Sequence, residues 1–373
     1  MPEFEIEAHR RKIPIDHPDT SVSTVKLADG AVTDLKLADP AIVNKSISRF
    51  KAGDSGVAWL FPISEHLVNA GLLTTDDVIA YANNVLSGEL IADAFENSFS
   101  LDFCVSLASN TNFSASKLGS AFSSGNLSGQ RAHDILRHPS ITADRAQAIL
   151  YSAPFSKGLA RIIAYGAPDA TISSATTITG VNRYGKLTVS SGITLTVDGQ
   201  PSVLIVGTLN NAGTISKTTT GGAGGAAGAA GAGAGGKGGG GLIIFCDELF
   251  NTGTIAANGA SGASASTVSA SGSGGGGGSG AFCRIGTDVA GTGGNGGGIA
   301  GGAGGVNGGG GGGGYSYSGG SGDGSTYTNF STATDLAEGI KKAVIDWFLI
   351  NVIGKTPTTT TSFPSFYGSG GGG

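Results

Sequence analysis

Phe113-Ser-Ala-Ser-Lys-Leu118, Leu127-Ser-Gly-Gln-Arg-Ala132 and Ile141-Thr-Ala-Asp-Arg-Ala146 are copies of one helix start, fourteen residues apart, with Phe99-Ser100 before them and Phe155-Ser156 after. In each copy the Ser or Thr is an N-cap whose oxygen accepts a free first-turn N–H. The apolar residues on either side fall at N′ and N4, where they staple the chain's entry into the helix. Apolar residues at N4, N7 and N8, such as Ala132, Ile135 and Leu136, make one buried face, while Lys117, Arg131 and Arg145 at N3 lie off it. Stops follow at Gly125-Asn126, His138-Pro139, Pro154 and Pro168. The segments Leu73-Thr-Thr-Asp-Asp-Val-Ile-Ala-Tyr81 and Leu86-Ser-Gly-Glu-Leu90 read as the same unit at irregular spacing. Helices this short do not form alone in water, so they must stack, as an α-solenoid or compact array, or as an ordinary helical domain with an accidental repeat. Either way the region is scaffold, a spacer or docking surface.

Beyond Ala170 the period changes. Thr176-Thr-Ile-Thr179, Lys186-Leu-Thr-Val189, Ile193-Thr-Leu-Thr-Val197 and Val203-Leu-Ile-Val206 are β-branched runs split by Gly180, Gly185, Gly192 and Asp198-Gly199. Even spacing of this kind predicts a β-solenoid or sandwich. The stretch Val203 to Ile215 recurs as Leu242 to Ile255 across a glycine-alanine tract, which predicts one ladder continuing past an insert.

Glycine accounts for 68 of the 373 residues, concentrated at 221–241, 272–280, 291–305 and 307–314. Polyglycine is disordered by itself, because it loses the most backbone freedom and has no side chain to bury. Its ordered alternative is a packed polyglycine II lattice, in which three-residue-per-turn helices hydrogen-bond to their neighbours. A long amphipathic helix then follows from an N-cap at Thr334 to Ile353, with Leu336, Ile340, Val344, Trp347 and Phe348 on one face.

Val25-Lys-Leu-Ala-Asp-Gly-Ala-Val32, Leu35-Lys-Leu-Ala-Asp-Pro-Ala-Ile42 and the fading Lys45-Ser-Ile-Ser48 form a ten-residue repeat with too few apolar groups to bury a core, so each unit is a flexible linker or needs a neighbour. The pattern resembles decapeptide repeats near the amino ends of bacteriophage tail-fibre proteins, which implies an oligomeric shaft or attachment segment. Over residues 175–330 the glycine tracts and aromatic loops resemble the tip adhesins of T-even-type bacteriophages, which implies a lattice carrying recognition loops. The helical array and the return to a long helix depart from that pattern. Tyr315, Tyr317, Tyr327, Phe330, Phe363, Phe366 and Tyr367 are the candidate receptor contacts, since aromatics on rigid loops give large contact area at low entropy cost. Their alternative role is to cap the lattice or pack on the Trp347 helix.

The remaining composition excludes more than it specifies. Only 13% of residues are charged and the net charge is -5, so no basic surface is offered to nucleic acid. Cys104, Cys246 and Cys283 have neither metal nor redox spacing. No secretory signal is legible at the amino terminus, and Ala343 to Ile353 is too short to span a membrane. Gly354-Lys355-Thr356 lacks the rest of a phosphate-binding loop, His133-Asp134 is replaced by Gln147-Ala148 in the next repeat, and Asp247 and Glu248 point to opposite strand faces. No catalytic, cofactor or metal residues are therefore assigned.

The expected fold class is modular α plus β: a short-helix repeat array, then a β-solenoid or β-rich region with a polyglycine II lattice, and one C-terminal amphipathic helix. The expected divisions are 1–56 for attachment and trimerisation, 57–168 for the helical repeats, 169–330 for the β- and glycine-rich part and 331–373 for the terminal helix and tail. The expected function is a non-enzymatic virion fibre or spike protein that attaches to a host surface. It would be a homotrimer, joined to other virion proteins through residues 1–56 and to a host glycan or protein, without nucleic acid or membrane insertion. A structural or filament protein lacking a receptor is the alternative, and a glycan depolymerase a third.

Overall fold

The structure is a computed structural model, and it describes residues 40–154, 156–217, 241–256, 280–285, 287–290 and 333–363. The chain divides into two compact units, Met1–Ala58 and Trp59–Gly373. In the first, helix α1 (Pro40–Lys51) opens on a proline and ends on Arg49 and Lys51, which suit its negative C-terminal pole. The last part of the decapeptide repeat, from Pro40 to Ser48, is thus helical. The earlier part lies outside the described residues.

After a 3-10 helical stretch, Ser55–Ile63, the second unit holds α2 (Ser64–Asn69), α3 (Thr75–Val85), α4 (Gly88–Asn97), α5 (Leu101–Ser109), α6 (Ala115–Ser123), α7 (Gly129–Arg137), α8 (Ala143–Ser152) and α9 (Lys157–Ala164). The N-caps at Ser100, Ser114, Ser128, Thr142 and Ser156 each accept from the N3 backbone N–H, as the repeat predicts. Thr74 and Ser87 cap α3 and α4 in the same way, Thr74 within a full capping box with Asp77, so the irregular early segments belong to the series. The N4, N7 and N8 side chains of α6 to α9 are all buried.

Neighbours in the array are not neighbours in sequence. Helices α3, α5, α7 and α9 pack in one row and α4, α6 and α8 in another. Two fourteen-residue units therefore make one structural repeat. Helix α10 (Ala333–Phe348) extends the second row by packing on α8, and a single π-helical turn, Leu349–Ile353, follows it. Its start at Ala333 places Thr334 inside the helix, not at the cap expected there.

The strands β1 (Ala170–Ile172), β2 (Thr176–Val189), β3 (Thr194–Asn211), β4 (Thr214–Ser216), β5 (Gly241–Asn251), β6 (Thr254–Ala256), β7 (Gly280–Ile285) and β8 (Thr287–Ala290) form one eight-stranded sheet. Every pairing is parallel except β7 with β8. Gly180 and Gly199 stand together at a corner, both left-handed (φ +74° and +83°), where a Cβ on Gly199 would lie 3.2 Å from the Gly180 nitrogen. Apolar residues of β2 to β5, including Leu187, Val197, Leu204, Val206 and Ile244, fill the inside of the curl, and α9 packs on β2, β3 and β5.

These features correct the expected fold class. The chain forms an α/β arrangement of helices on a curled parallel half-barrel sheet, not a β-solenoid with a polyglycine II lattice. A solenoid keeps one coil period, whereas strand partners here are separated by 17 residues for Ala170 and Leu187, 22 for Val181 and Val203, and 40 for Val203 and Ile243. Of the four glycine tracts only Gly241 and Gly280 are described, and they pair with each other as ordinary strand residues.

Candidate functional site

The geometry that positions any surface here starts with the basic residues at N3. Lys117 Nζ of α6 donates to Leu86 O at the end of α3, 2.6 Å away. Arg131 of α7 reaches Phe95 O at 2.8 Å and also Phe99 O, at the end of α4. Arg145 of α8 reaches Ala108 O, Asn110 O and Phe113 O, at 2.8, 2.8 and 2.6 Å, at the end of α5. Helix ends leave carbonyls without partners, and each of these cations satisfies those of the helix three places earlier. A reverse contact accompanies it: Glu65, Asn83 and Glu96 accept from the N-cap backbone N–H groups of Ser100, Ser114 and Ser128. The two ladders lock helices that are too short to persist alone.

The C-terminal segment continues this scheme from far along the chain. Asp346, buried in α10, accepts from Gln147 Nε2 at 2.8 Å, from Tyr151 OH and from Thr361 N, both at 2.6 Å. Burial and Asp346 push the Tyr151 pKa up to about 12, so the phenol stays a donor. Lys341 Nζ caps Tyr151 O and Ala153 O at the end of α8, and Lys355 Nζ caps His138 O and Ile141 O beyond α7. Gly354-Lys355, which resembles a fragment of a phosphate loop, is thus a left-handed C-cap (φ +80°) followed by a cation turned onto protein carbonyls.

At the sheet, Asp247 pairs with Arg161 of α9 at 2.9 Å, and Glu248 accepts from Thr208 Oγ1. Buried Lys217 donates to Asp198 and to Gly199 O at the corner. Ser216 pairs with Ala256, and Gly241 with Gly280. The points where two successive glycine tracts leave the sheet are therefore side by side, and so are the points where they rejoin it, one strand spacing of about 4.8 Å apart. Asn211 Nδ2 at the end of β3 donates to Asn251 Oδ1 at the end of β5 at 2.7 Å, just before β4 and β6 begin, which supports this registration.

Of the candidate receptor contacts, Phe363 is half-buried just beyond Thr361. Tyr315, Tyr317, Tyr327, Phe330, Phe366 and Tyr367 lie outside the described residues. His133 sits buried against Ile162 O with a lowered pKa, caused first by desolvation, and Asp134 accepts from Gln130 instead of from the histidine. Among the described residues no cluster of metal-ligating side chains occurs, and no helix is long and apolar enough to cross a membrane. The Asp346 node and the carbonyl-capping ladder escaped the sequence reading, although recurrence of Lys117, Arg131 and Arg145 at one position of each repeat was its visible signal. No family model, no curated protein and no solved structure matches this chain.

Proposed function

We propose that the chain is a non-catalytic virion fibre or spike protein that presents its glycine- and aromatic-rich tracts to a host surface. The observation that supports this reading is the pairing of Ser216 with Ala256 and of Gly241 with Gly280, which holds the ends of two successive glycine tracts together on one sheet. The aromatic tract 291–332 likewise runs between β8 and α10, both part of the second unit. A body of interlocked helices beside that sheet suits a presenting scaffold, since packed interiors resist deformation. Residues 1–56 are proposed to trimerise the chain and join it to the particle, in keeping with their decapeptide repeat.

The test has two parts. Mass spectrometry of purified particles should find the chain, and the purified protein should adsorb to host cells and block particle adsorption. Tyr315→Ala with Tyr317→Ala should abolish adsorption with melting unchanged. Absence from particles overturns the reading. Presence without adsorption turns it into a structural component lacking a receptor.

A further inference from the structure

The seam where α7, the end of α9 and β2 meet gathers groups that the packing uses only in part. Arg137 ends α7 and donates through Nη2 to Val352 O at 3.2 Å. Arg183 rises from β2 and donates through Nη1 to Ile163 O and Tyr165 O, at 3.1 and 2.8 Å. Each guanidinium carries five N–H donors in a planar fork, and each commits one nitrogen here. The other nitrogens meet no acceptor among the described residues, nor does a described carboxylate pair with either arginine. Asp134, the acid of α7, is turned to Gln130.

His133 joins the two arginines. It lies one helical turn before Arg137 on the same face, and its Nε2 meets Ile162 O beside the carbonyls that Arg183 caps. Tyr165 stands edge-on to this ring at 5.1 Å, is 37% exposed, and hydrogen-bonds through its hydroxyl to Gln130. Burial, and then the like charge of Arg137, lowers the pKa of Arg183. Two like charges, one of them partly desolvated and neither paired with a carboxylate among the described residues, are unfavourable together, and an anion bridging them relieves both costs. Guanidinium forks match a carboxylate in geometry, while an exposed ring edge with a neighbouring amide suits a hydroxylated ring.

We infer that Arg137 and Arg183 form an oxyanion site whose ligand is the carboxylate of an acidic sugar lying against Tyr165 and Gln130. The choice of a sugar acid rests on the proposed attachment role, whereas the oxyanion site does not. Titration calorimetry of the full chain with glucuronate, glucose and inorganic phosphate tests both. Glucuronate should bind saturably and glucose should not, and both Arg137→Gln and Arg183→Gln should weaken the glucuronate Kd at least tenfold. Arg183→Gln also removes two carbonyl contacts, so Arg137→Gln, whose guanidinium is exposed, carries the test if the first variant melts early. An affinity unchanged by Arg137→Gln, or no saturable binding of either anion, overturns the site. Phosphate binding as tightly as glucuronate overturns the sugar assignment. Glucuronate binding without host-cell adsorption would sink the attachment reading alone, and adsorption without anion binding would sink this one alone.

Discussion

Asp346 Oδ2 and the Tyr151 hydroxyl meet at 2.6 Å although 195 residues separate them, and that contact carries the row of helices past the whole sheet region to α10. Removing the carboxylate leaves the Thr361 N–H without its acceptor, and leaves the Gln147 amide only Thr359 O and Tyr151 OH, and the phenol only Thr361 Oγ1 and the Gln147 amide. Asp346→Ala should destabilise the second unit by about 2 to 3 kcal/mol, the usual cost of removing a buried acceptor that serves one donor alone and two others in part. A double-mutant cycle with Tyr151→Phe should return a coupling of about 1 to 2 kcal/mol. Urea unfolding measures both, and additive effects would show that the contact does not form.

Arg145 should be the most sensitive member of the capping ladder, because it holds three carbonyls at once. Arg145→Met should cost about 2 to 3 kcal/mol. Arg145→Lys should recover only part of that, since a single ammonium cannot reproduce the fork. Equal melting of Arg145→Lys and the parent chain would count against the geometry.

Gly119 lets α6 lie against the end of α8. A Cβ there would come within 2.6 to 2.7 Å of Ala153 N, Ile149 O and Ser152 C, all backbone atoms that cannot rotate away. Gly119→Ala should therefore cost about 1 to 3 kcal/mol despite the better helix propensity of alanine. A rise in melting temperature would mean that the two helices sit farther apart.

The His133 pKa is depressed from its ordinary 6.5 by burial, and further by the charges of Arg137 and Arg183, while its contact with Ile162 O and the charge of Asp134 act in the opposite sense. A depressed pKa means that the unfolded chain binds the proton first, so the stability from this group is complete above pH 6.5 and is lost as pH falls below it. The parent should lose more stability between pH 7.5 and 5.5 than His133→Gln does in parallel melts. Matching pH profiles would rule this origin out.

Cys104 is buried, and its thiol is pushed up to about 12 by that burial, against the opposing pull of Arg131. Thiolate is the reactive form, so the peptide containing Cys104 should resist iodoacetamide in the folded protein and label fully in denaturant. Peptide mapping by mass spectrometry reads the difference. Rapid labelling at neutral pH without denaturant would contradict the burial.

What the sequence determined by itself is local or strictly repeated. The caps at Ser100, Ser114, Ser128, Thr142 and Ser156 were legible because an N-cap needs only its own hydroxyl and the N–H three residues on. The match of Val203–Ile215 with the residues after Gly241 was legible too, because parallel neighbours at a constant offset of 40 residues share one environment and so retain similar side chains. Tertiary structure alone decided the rest. Which helix end Arg145 caps depends on two rows forming by alternation, and no fourteen-residue window contains the carbonyls of Ala108 and Phe113. The curl of the sheet depends on bends such as Gly180 and Gly199 and on α9 pressing against it, where spacing alone suggested a solenoid. Likewise the proposed oxyanion seam depends on Arg183 of β2 meeting the end of α9 beside His133, which lies one turn from Arg137 on α7; long-range packing sets that meeting, and neither local propensity nor period encodes it.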